Sequence, residues 1–376
     1  MHILIAPNAF KNSLDASEVC EAISAGLQQS KLKCSIENFP VGDGGDGTAA
    51  LIIQKHRGAI INTEVHDAIG IKIHASFGLI DGNKTAVIEL ADASGIRLLQ
   101  QNELHPLQAT TYGTGELIIH ALDKNVNKII LCIGGSATVD GGTGILQALG
   151  IRFLNNKNEL LKTLPEDLAD LDAIDVSDFD KRILNCELVI LCDVENILLG
   201  KNGSAKIFGP QKGASDADVQ KLENVLTKFR DIALQQTGID MATVKYGGAA
   251  GGVAAGLYTF CNANLVQGID YFLAETFFDE ALIKANVVIT GEGKIDEQTL
   301  QGKGPFGVAK KAKEKNVSVI GIAGSVPLET NVQLQKYFDV LIPINNDIID
   351  IETAIQLTKI NLIRTAKMIG DLLANK

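Results

Sequence analysis

Three short clusters in this chain alternate glycine with carboxylate. They are Val41-Gly-Asp-Gly-Gly-Asp-Gly-Thr48, Gly134-Gly-Ser-Ala-Thr-Val-Asp-Gly-Gly142 and Thr290-Gly-Glu-Gly-Lys-Ile-Asp-Glu-Gln-Thr299. Glycine admits positive φ and close backbone approach, so its amides can line a concave anion site. The interleaved acids would repel a bare phosphate. A divalent cation between them removes the conflict, because hard cations take oxygen ligands from both sides. The pattern therefore predicts Mg²⁺-nucleotide chemistry. Its candidate binding residues are Asp43, Gly44, Gly45 and Asp46, then Gly134, Gly135, Ser136, Asp140 and Gly141, then Gly291, Glu292 and Gly293.

Further charged residues stand at similar places. Asp193 ends the apolar run 188–192, Glu89 ends the run 85–90, and Asp296 follows Gly293-Lys294. Lys11, Lys212, Lys294 and Lys303 sit beside glycine, asparagine or proline. Each acid has a purely structural alternative: turn hydrogen bonds for Asp43 and Asp46, and caps for Asp140, Asp193 and Asp296. The six histidines show no metal-ligand spacing. No stretch satisfies G-x-x-x-x-G-K-[ST], and the first strand–turn–helix unit lacks G-x-G-x-x-G. HExxH and GxSxG are absent as well. Phosphoryl transfer by an unfamiliar loop, or binding of a sugar phosphate or organic acid, are the classes left.

The elements that must hold these residues alternate. At the start, a short strand at 3–5 precedes a helix over 16–29, with Val19, Ile23 and Leu27 on one face and Asp15 and Glu18 as its N-terminal signature. A strand at 35–41 leads into the first cluster, and a helix over 48–56 leaves it. At the far end, strands at 285–290, 317–323 and 340–344 alternate with helices over 306–315 and 351–373, the last with a stripe of Ala354, Leu357, Leu362, Ala366 and Ile369. The grammar predicts a doubly wound, Rossmann/flavodoxin-like parallel sheet built from both chain ends. The middle differs: residues 60–79 alternate as antiparallel strands joined near Gly70, and 155–180 is polar, acidic and peripheral. The expected organisation is an α/β domain from 1–59 and 284–376, interrupted by an inserted mixed α/β domain at 60–283.

Composition narrows the partners. The chain has 376 residues, enough for two cores, and a net charge of −11. An acidic surface argues against nucleic acid and anionic membranes, leaving small molecules. No apolar run of membrane-spanning length and no signal peptide occurs, and the six cysteines form no CxxC or zinc pattern, so a cytoplasmic location is expected.

Six motifs in one order then become specific. Ile5-Ala-Pro-Asn-Ala-Phe-Lys-Asn-Ser-Leu14, the Asp-Gly-Gly-Asp-Gly-Thr cluster, Thr110-Thr-Tyr-Gly-Thr-Gly-Glu116, the second cluster, Phe208-Gly-Pro-Gln-Lys-Gly-Ala214 and the third cluster together resemble the bacterial type I glycerate kinase family. The chain departs from that family's pattern at Asn8, where Asp is usual, and at Asp46, Val139 and Ile197. Asn8 is accordingly given no metal or base role. The resemblance implies ATP-dependent, Mg²⁺-assisted phosphorylation of D-glycerate, two α/β domains with a cleft between them, and 2-phosphoglycerate as the favoured product.

Such a reaction is mostly positioning and charge neutralisation, with a carboxylate to accept the hydroxyl proton. Asp193 and Asp296 are the candidates beside the metal or the reacting hydroxyl. Lys11 and Lys303 balance phosphate or carboxylate charge, and Lys212 joins the binding set. Two other readings stay open: a non-catalytic sensor of a small organic acid, and a kinase for a related hydroxy acid.

Overall fold

A computed structural model describes residues 1–329, 331–345 and 350–375. Its strands, in chain order, are β1 (His2–Ile5), β2 (Ser35–Asn38), β3 (Ala59–His66), β4 (Lys72–Ile80), β5 (Thr85–Glu89), β6 (Lys128–Cys132), β7 (Arg152–Leu154), β8 (Ala173–Asp175), β9 (Glu187–Cys192), β10 (Asn264–Gln267), β11 (Val287–Lys294), β12 (Ser318–Ser325) and β13 (Val340–Pro343). The chain separates into two compact units, Met1–Asp43 with Ile269–Lys376, and Gly44–Gly268.

The first unit carries a five-stranded parallel sheet in the order β13-β12-β11-β1-β2. Read from its other edge, this is the doubly wound order 2-1-3-4-5, whose direction of winding reverses between β1 and β11. Successive residues Val288 and Ile289, like Leu4 and Ile5, are all buried, so these strands are covered on both faces. Helix Ala16–Gln28 starts on the expected reciprocal cap: Asp15 accepts from the Glu18 amide at 2.8 Å, and Glu18 accepts from the Asp15 amide at 2.9 Å. Its face of Val19, Ile23 and Leu27 packs into one core with Ile3, Ile5, Ile289 and Ile322.

The C-terminal helix, Ile351–Leu373, lies against that first helix with Leu362, Ala366 and Ile369 of its expected stripe buried, but the stripe departs from expectation toward its N-terminal end. Leu357 is 36% exposed, whereas Thr358, Asn361 and Thr365 are buried. Two of these polar side chains have partners that allow burial: Asn361 donates to Asn345 at 3.0 Å, and Thr358 to the Ala354 carbonyl at 3.1 Å. At Gly26 the two helices approach so closely that a Cβ would lie 2.3 Å from the Ile363 carbonyl and 2.7 Å from Ala366 Cβ. Gly26→Ala must therefore separate the helices. Overpacking costs about 1–3 kcal/mol, partly offset by alanine's helix preference of about 1 kcal/mol. A net loss of about 1 kcal/mol or more is expected in urea denaturation, and an unchanged midpoint would show that the pair can slide apart freely.

The second unit holds a six-stranded mixed sheet, β10-β9-β6-β5-β4-β3. β10, β9, β6 and β5 run parallel, and β4 and β3 turn back as an antiparallel hairpin, as the alternation at 60–79 predicts. The segment at 155–180 is more than a polar periphery. Leu161, Leu164, Leu168, Leu171 and Ile174 are buried in the main core of this unit, and β7 and β8 pair beside them. Isolated leucines in an acidic context carry no periodic signal, which is why the sequence reading set this segment outside.

The division falls at 43/44 and 268/269, where the sequence reading drew it at 59/60 and 283/284. Helix Thr48–Lys55 packs on β4, β5 and β6 of the second unit. The segment after 268 belongs with the first: Ile269 lies against Gly307, and Phe278 meets Phe39 edge-on at 5.1 Å.

All six cysteines are free thiols. Cys20, Cys132, Cys186, Cys192 and Cys261 are buried, and burial pushes each of these thiols above its ordinary pKa. Among the described residues no helix is long and apolar enough to cross a membrane.

Candidate active site

In the first unit the candidate residues gather at the carboxyl ends of β1 and β11, where the winding reverses. Such a switch point leaves a crevice that ligands occupy in open α/β sheets. The third cluster differs from the loop expected of it: β11 continues through Lys294, pairing with β12 as far as Ser325. Gly291 is glycine because a Cβ there would sit 2.0 Å from the Ile322 carbonyl. Nothing approaches the corresponding position at Gly293 closer than 3.9 Å, so that residue keeps an open face.

Glu292 points from this strand end and is only 8% exposed. One carboxylate oxygen accepts from Thr299 Oγ1 at 2.8 Å, and the other lies 3.9 Å from Lys303 Nζ. Burial pushes its pKa up to about 7, Lys303 and the Thr299 bond pull it down, Asp43 pushes it up and Lys11 pulls it down. Asp43, Lys11, Lys303 and Glu292 thus share one electrostatic neighbourhood. Asp43 accepts from Asn8 Nδ2 at 2.7 Å and from the Gly304 amide at 3.3 Å, at the start of helix Gly304–Glu314. Asn8 also donates its amide to the Gly291 carbonyl at 2.8 Å. It thereby ties the first strand to the third cluster, a positioning role that its lack of charge concealed in the sequence.

Asp296 is placed differently. It caps the turn 297–301 by accepting from the Gln298 amide at 2.9 Å, and it is ion-paired with Lys294 at 2.8 Å. Partial burial raises its pKa, but Lys294 and the Gln298 amide outweigh this and hold the carboxyl below its ordinary range. The structural alternative for this residue, a cap, is thus what the chain forms.

In the second unit the first and second clusters pack on each other. The Gly134 amide donates to the Gly44 carbonyl at 2.9 Å. Gly135 has φ of 70°, and a Cβ there would lie 2.0 Å from an Asp46 carboxylate oxygen, so both its backbone and its space require glycine. Gly45 is the residue against which Gly134 closes, its Cα 2.3 Å from where a Gly134 Cβ would be. Behind them, Glu89 at the end of β5 accepts from the Gly47 amide at 2.7 Å and the Ala49 amide at 3.2 Å, bracing the start of helix Thr48–Lys55. Burial pushes Glu89 up to about 7, and the nearby charges of Asp92 and Asp46 add to that.

Lys212 is 2% exposed and reaches under the second cluster. Its Nζ donates to Ser136 Oγ at 2.7 Å and to the Thr138 carbonyl at 2.7 Å. Burial pushes the ammonium down to about 7, while Asp140 and Asp193 act to keep it charged. Asp193 follows the last residue of β9, as expected, near enough to Lys212 to act on its titration.

Asp140 is bonded within the fold. It is 0% exposed, and its carboxylate accepts from the Thr111 amide and hydroxyl at 2.9 and 2.7 Å and from the Gly142 and Gly144 amides at 3.0 and 3.1 Å. It is the internal brace of the second cluster. Gly141, with φ of 65°, donates its amide to the Gly251 carbonyl at 3.0 Å and so shares in that bracing. Among the described residues, no group of three or more His, Cys, Asp or Glu is arranged to hold a metal ion.

A family model described as the glycerate kinase family matches residues 3–374. The chain is 42% identical over 370 residues to the glycerate kinase of Bacillus subtilis (strain 168), covering 98% of this chain and 97% of that one. It is 39% identical over 374 residues to the glycerate 2-kinase of Escherichia coli (strain K12), covering 100% of this chain and 98% of that one. Among solved structures, a Salmonella typhimurium LT2 crystal structure carrying the name glycerate kinase 2 superposes with a TM-score of 0.82 at 39% identity, over 99% of this chain and 98% of that one.

Proposed function

The chain belongs to the glycerate kinase family, and from that premise we propose that it transfers the γ-phosphoryl group of MgATP to the 2-hydroxyl of D-glycerate. The glycerate oxygen bonds to the γ-phosphorus as the bond from that phosphorus to the oxygen of ADP breaks. The hydroxyl proton passes to a carboxylate. The products are 2-phosphoglycerate and ADP.

The observation that carries this reading is the setting of Glu292. A base works best when its pKa lies near the working pH, and burial brings Glu292 to about 7 with Thr299 holding one oxygen in place. We assign it the proton-accepting role that the sequence reading gave to Asp193 or Asp296, because Asp296 is committed to its cap and to Lys294. Lys303 and Lys11 balance the charge that develops beside it, and Lys212 supplies positive charge under the second cluster. Asp193 stays a candidate to hold a magnesium ion, which would neutralise phosphate charge there. The preference for the 2-hydroxyl rests on the likeness to the Escherichia coli glycerate 2-kinase.

A coupled assay of the purified protein with MgATP and D-glycerate should release ADP, and no release above the glycerate-free blank would sink the reading. Proton-coupled ³¹P NMR of the product tests the regiochemistry. Phosphorus on C2 couples to one carbon-bound proton and phosphorus on C3 to two.

A further inference from the structure

The motif Thr110-Thr-Tyr-Gly-Thr-Gly-Glu116 opens the helix Tyr112–Leu122 of the second unit. Thr111 is the N-cap of that helix, yet its side chain makes no cap bond. An N-cap threonine ordinarily spends its hydroxyl on an amide of its own helix. Here the hydroxyl is turned to the second glycine cluster instead. It donates to Asp140 at 2.7 Å, and the Thr111 amide donates to the same carboxylate oxygen at 2.9 Å. The hydroxyl also accepts from the Ile145 amide at 3.0 Å. Local capping is given up for three tertiary bonds.

The backbone closes on the same place. A Cβ at Gly144 would lie 2.2 Å from Thr110 Oγ1 and 2.5 Å from the Tyr112 amide nitrogen. Segment 110–112 therefore lies directly on the start of helix Thr143–Ala148, the helix that follows Asp140.

Asp140 carries this hold to Lys212. It stands two residues after Thr138, whose carbonyl accepts from Lys212 Nζ, and four after Ser136, whose Oγ accepts from it too. Burial pushes the Asp140 carboxyl up, and the Thr111 hydroxyl is the foremost of the bonds that pull it back toward the ionised form. Asp140 and Asp193 are the charges that favour the Lys212 ammonium. Thr111, Asp140 and Lys212 are all buried. Buried charges are often no more stabilising than apolar residues of similar volume, so stability alone does not account for the arrangement.

We propose that Thr111 is a positioning residue for phosphoryl transfer. Through Asp140 it sets the second cluster in the place from which Ser136 and the Thr138 carbonyl hold the Lys212 ammonium. That role rests on the glycerate kinase reading, with Lys212 at the site.

The test compares Thr111→Val with Thr111→Ser. Valine has the shape of threonine without the hydroxyl, whereas serine keeps the hydroxyl and lacks the methyl. Thr111→Val is expected to lower kcat for glycerate phosphorylation by about 10–10²-fold, as for a group displaced by about an ångström, with KM changed less than about threefold. Thr111→Ser should keep kcat near that of wild type. Both variants lower the urea midpoint, valine by leaving Asp140 and the Ile145 amide short of a partner, serine by leaving a cavity. A loss of kcat shared by both, or shown by neither, therefore overturns the proposal. Thr111→Val combined with Lys212→Met should be no slower than Lys212→Met alone, because the threonine acts through the lysine. Multiplied losses would overturn that route. Thr111→Ala removes the same hydroxyl without added bulk and repeats the comparison where the valine chain does not fold.

A readout without turnover separates this role from the glycerate reading. In protein with ¹⁵N-labelled lysine, the Nζ resonance missing from Lys212→Met is that of Lys212. It should shift in Thr111→Val and hold its place in Thr111→Ser. An unmoved resonance in the valine variant would overturn the proposal. A wild type that releases no ADP with glycerate would sink the kinase reading, and the resonance would still decide whether Thr111 places Lys212.

Discussion

Lys212→Met is expected to lower kcat/KM for glycerate phosphorylation by about 10²–10³-fold, the usual loss for one preorganised donor aimed at developing negative charge. Methionine matches the stem but cannot donate to Ser136 or the Thr138 carbonyl, and it brings no charge to the second cluster. The same substitution has a signature in stability. Burial holds the Lys212 pKa at about 7 in the folded chain, against an ordinary 10.5. Between these values the unfolded chain binds a proton that the folded chain does not, so this group makes stability rise with pH across that window and withdraws the gain as pH falls through 7. The methionine variant should lack that part of the slope. Urea midpoints of both proteins from pH 6 to about 10, measured beside the kinetics, check the two effects together. A variant with wild-type kcat/KM would remove Lys212 from the site.

Glu292→Gln is expected to lower kcat by about 10²–10⁴-fold, the range for loss of a positioned general base. Glutamine keeps an acceptor for Thr299 and nearly the same shape, so the loss isolates the charge. Because the folded pKa is about 7, the active carboxylate forms as pH rises through 7, and the wild-type profile should show a limb there. The variant's profile should be flat across that limb. For stability the sign is opposite to that of Lys212: a raised carboxylate pKa favours the folded chain below its ordinary 4.5 and loses that contribution as pH rises through 7. A variant that retains the limb, or that falls by less than about threefold, would assign the base elsewhere.

The parts of this molecule that local chemistry dictates were legible before any coordinates. The Asp15–Glu18 cap, the alternation of 60–79 and the doubly wound grammar of the chain ends all act over a few residues, so a sequence displays them. The positions of Asp43, Lys303 and Glu292 beside glycines, and of Lys11 beside Asn12, likewise mark them as candidates. Burial is a tertiary property and was not visible. Nothing in the sequence separates Glu292, lifted by desolvation, from Asp296, held down by Lys294 and the Gln298 amide. The same holds for Asp140, which has the same acid-glycine signature as Asp43 yet spends every oxygen inside the fold. The C-terminal helix buries Leu362, Ala366 and Ile369 of its expected stripe but exposes Leu357 and buries Asn361, whose amide has a partner at Asn345 that no sequence pattern displays.

The buried thiols give this protein an internal clock. A thiol-specific reagent can reach Cys20 only when the first unit opens, and Cys132, Cys192 and Cys261 only when the second does. Their raised pKa values suppress background reaction in the closed state, because the thiolate is the reacting form. Mass-resolved alkylation in mild denaturant would therefore time the breathing of each unit separately, in a single sample and without an engineered probe.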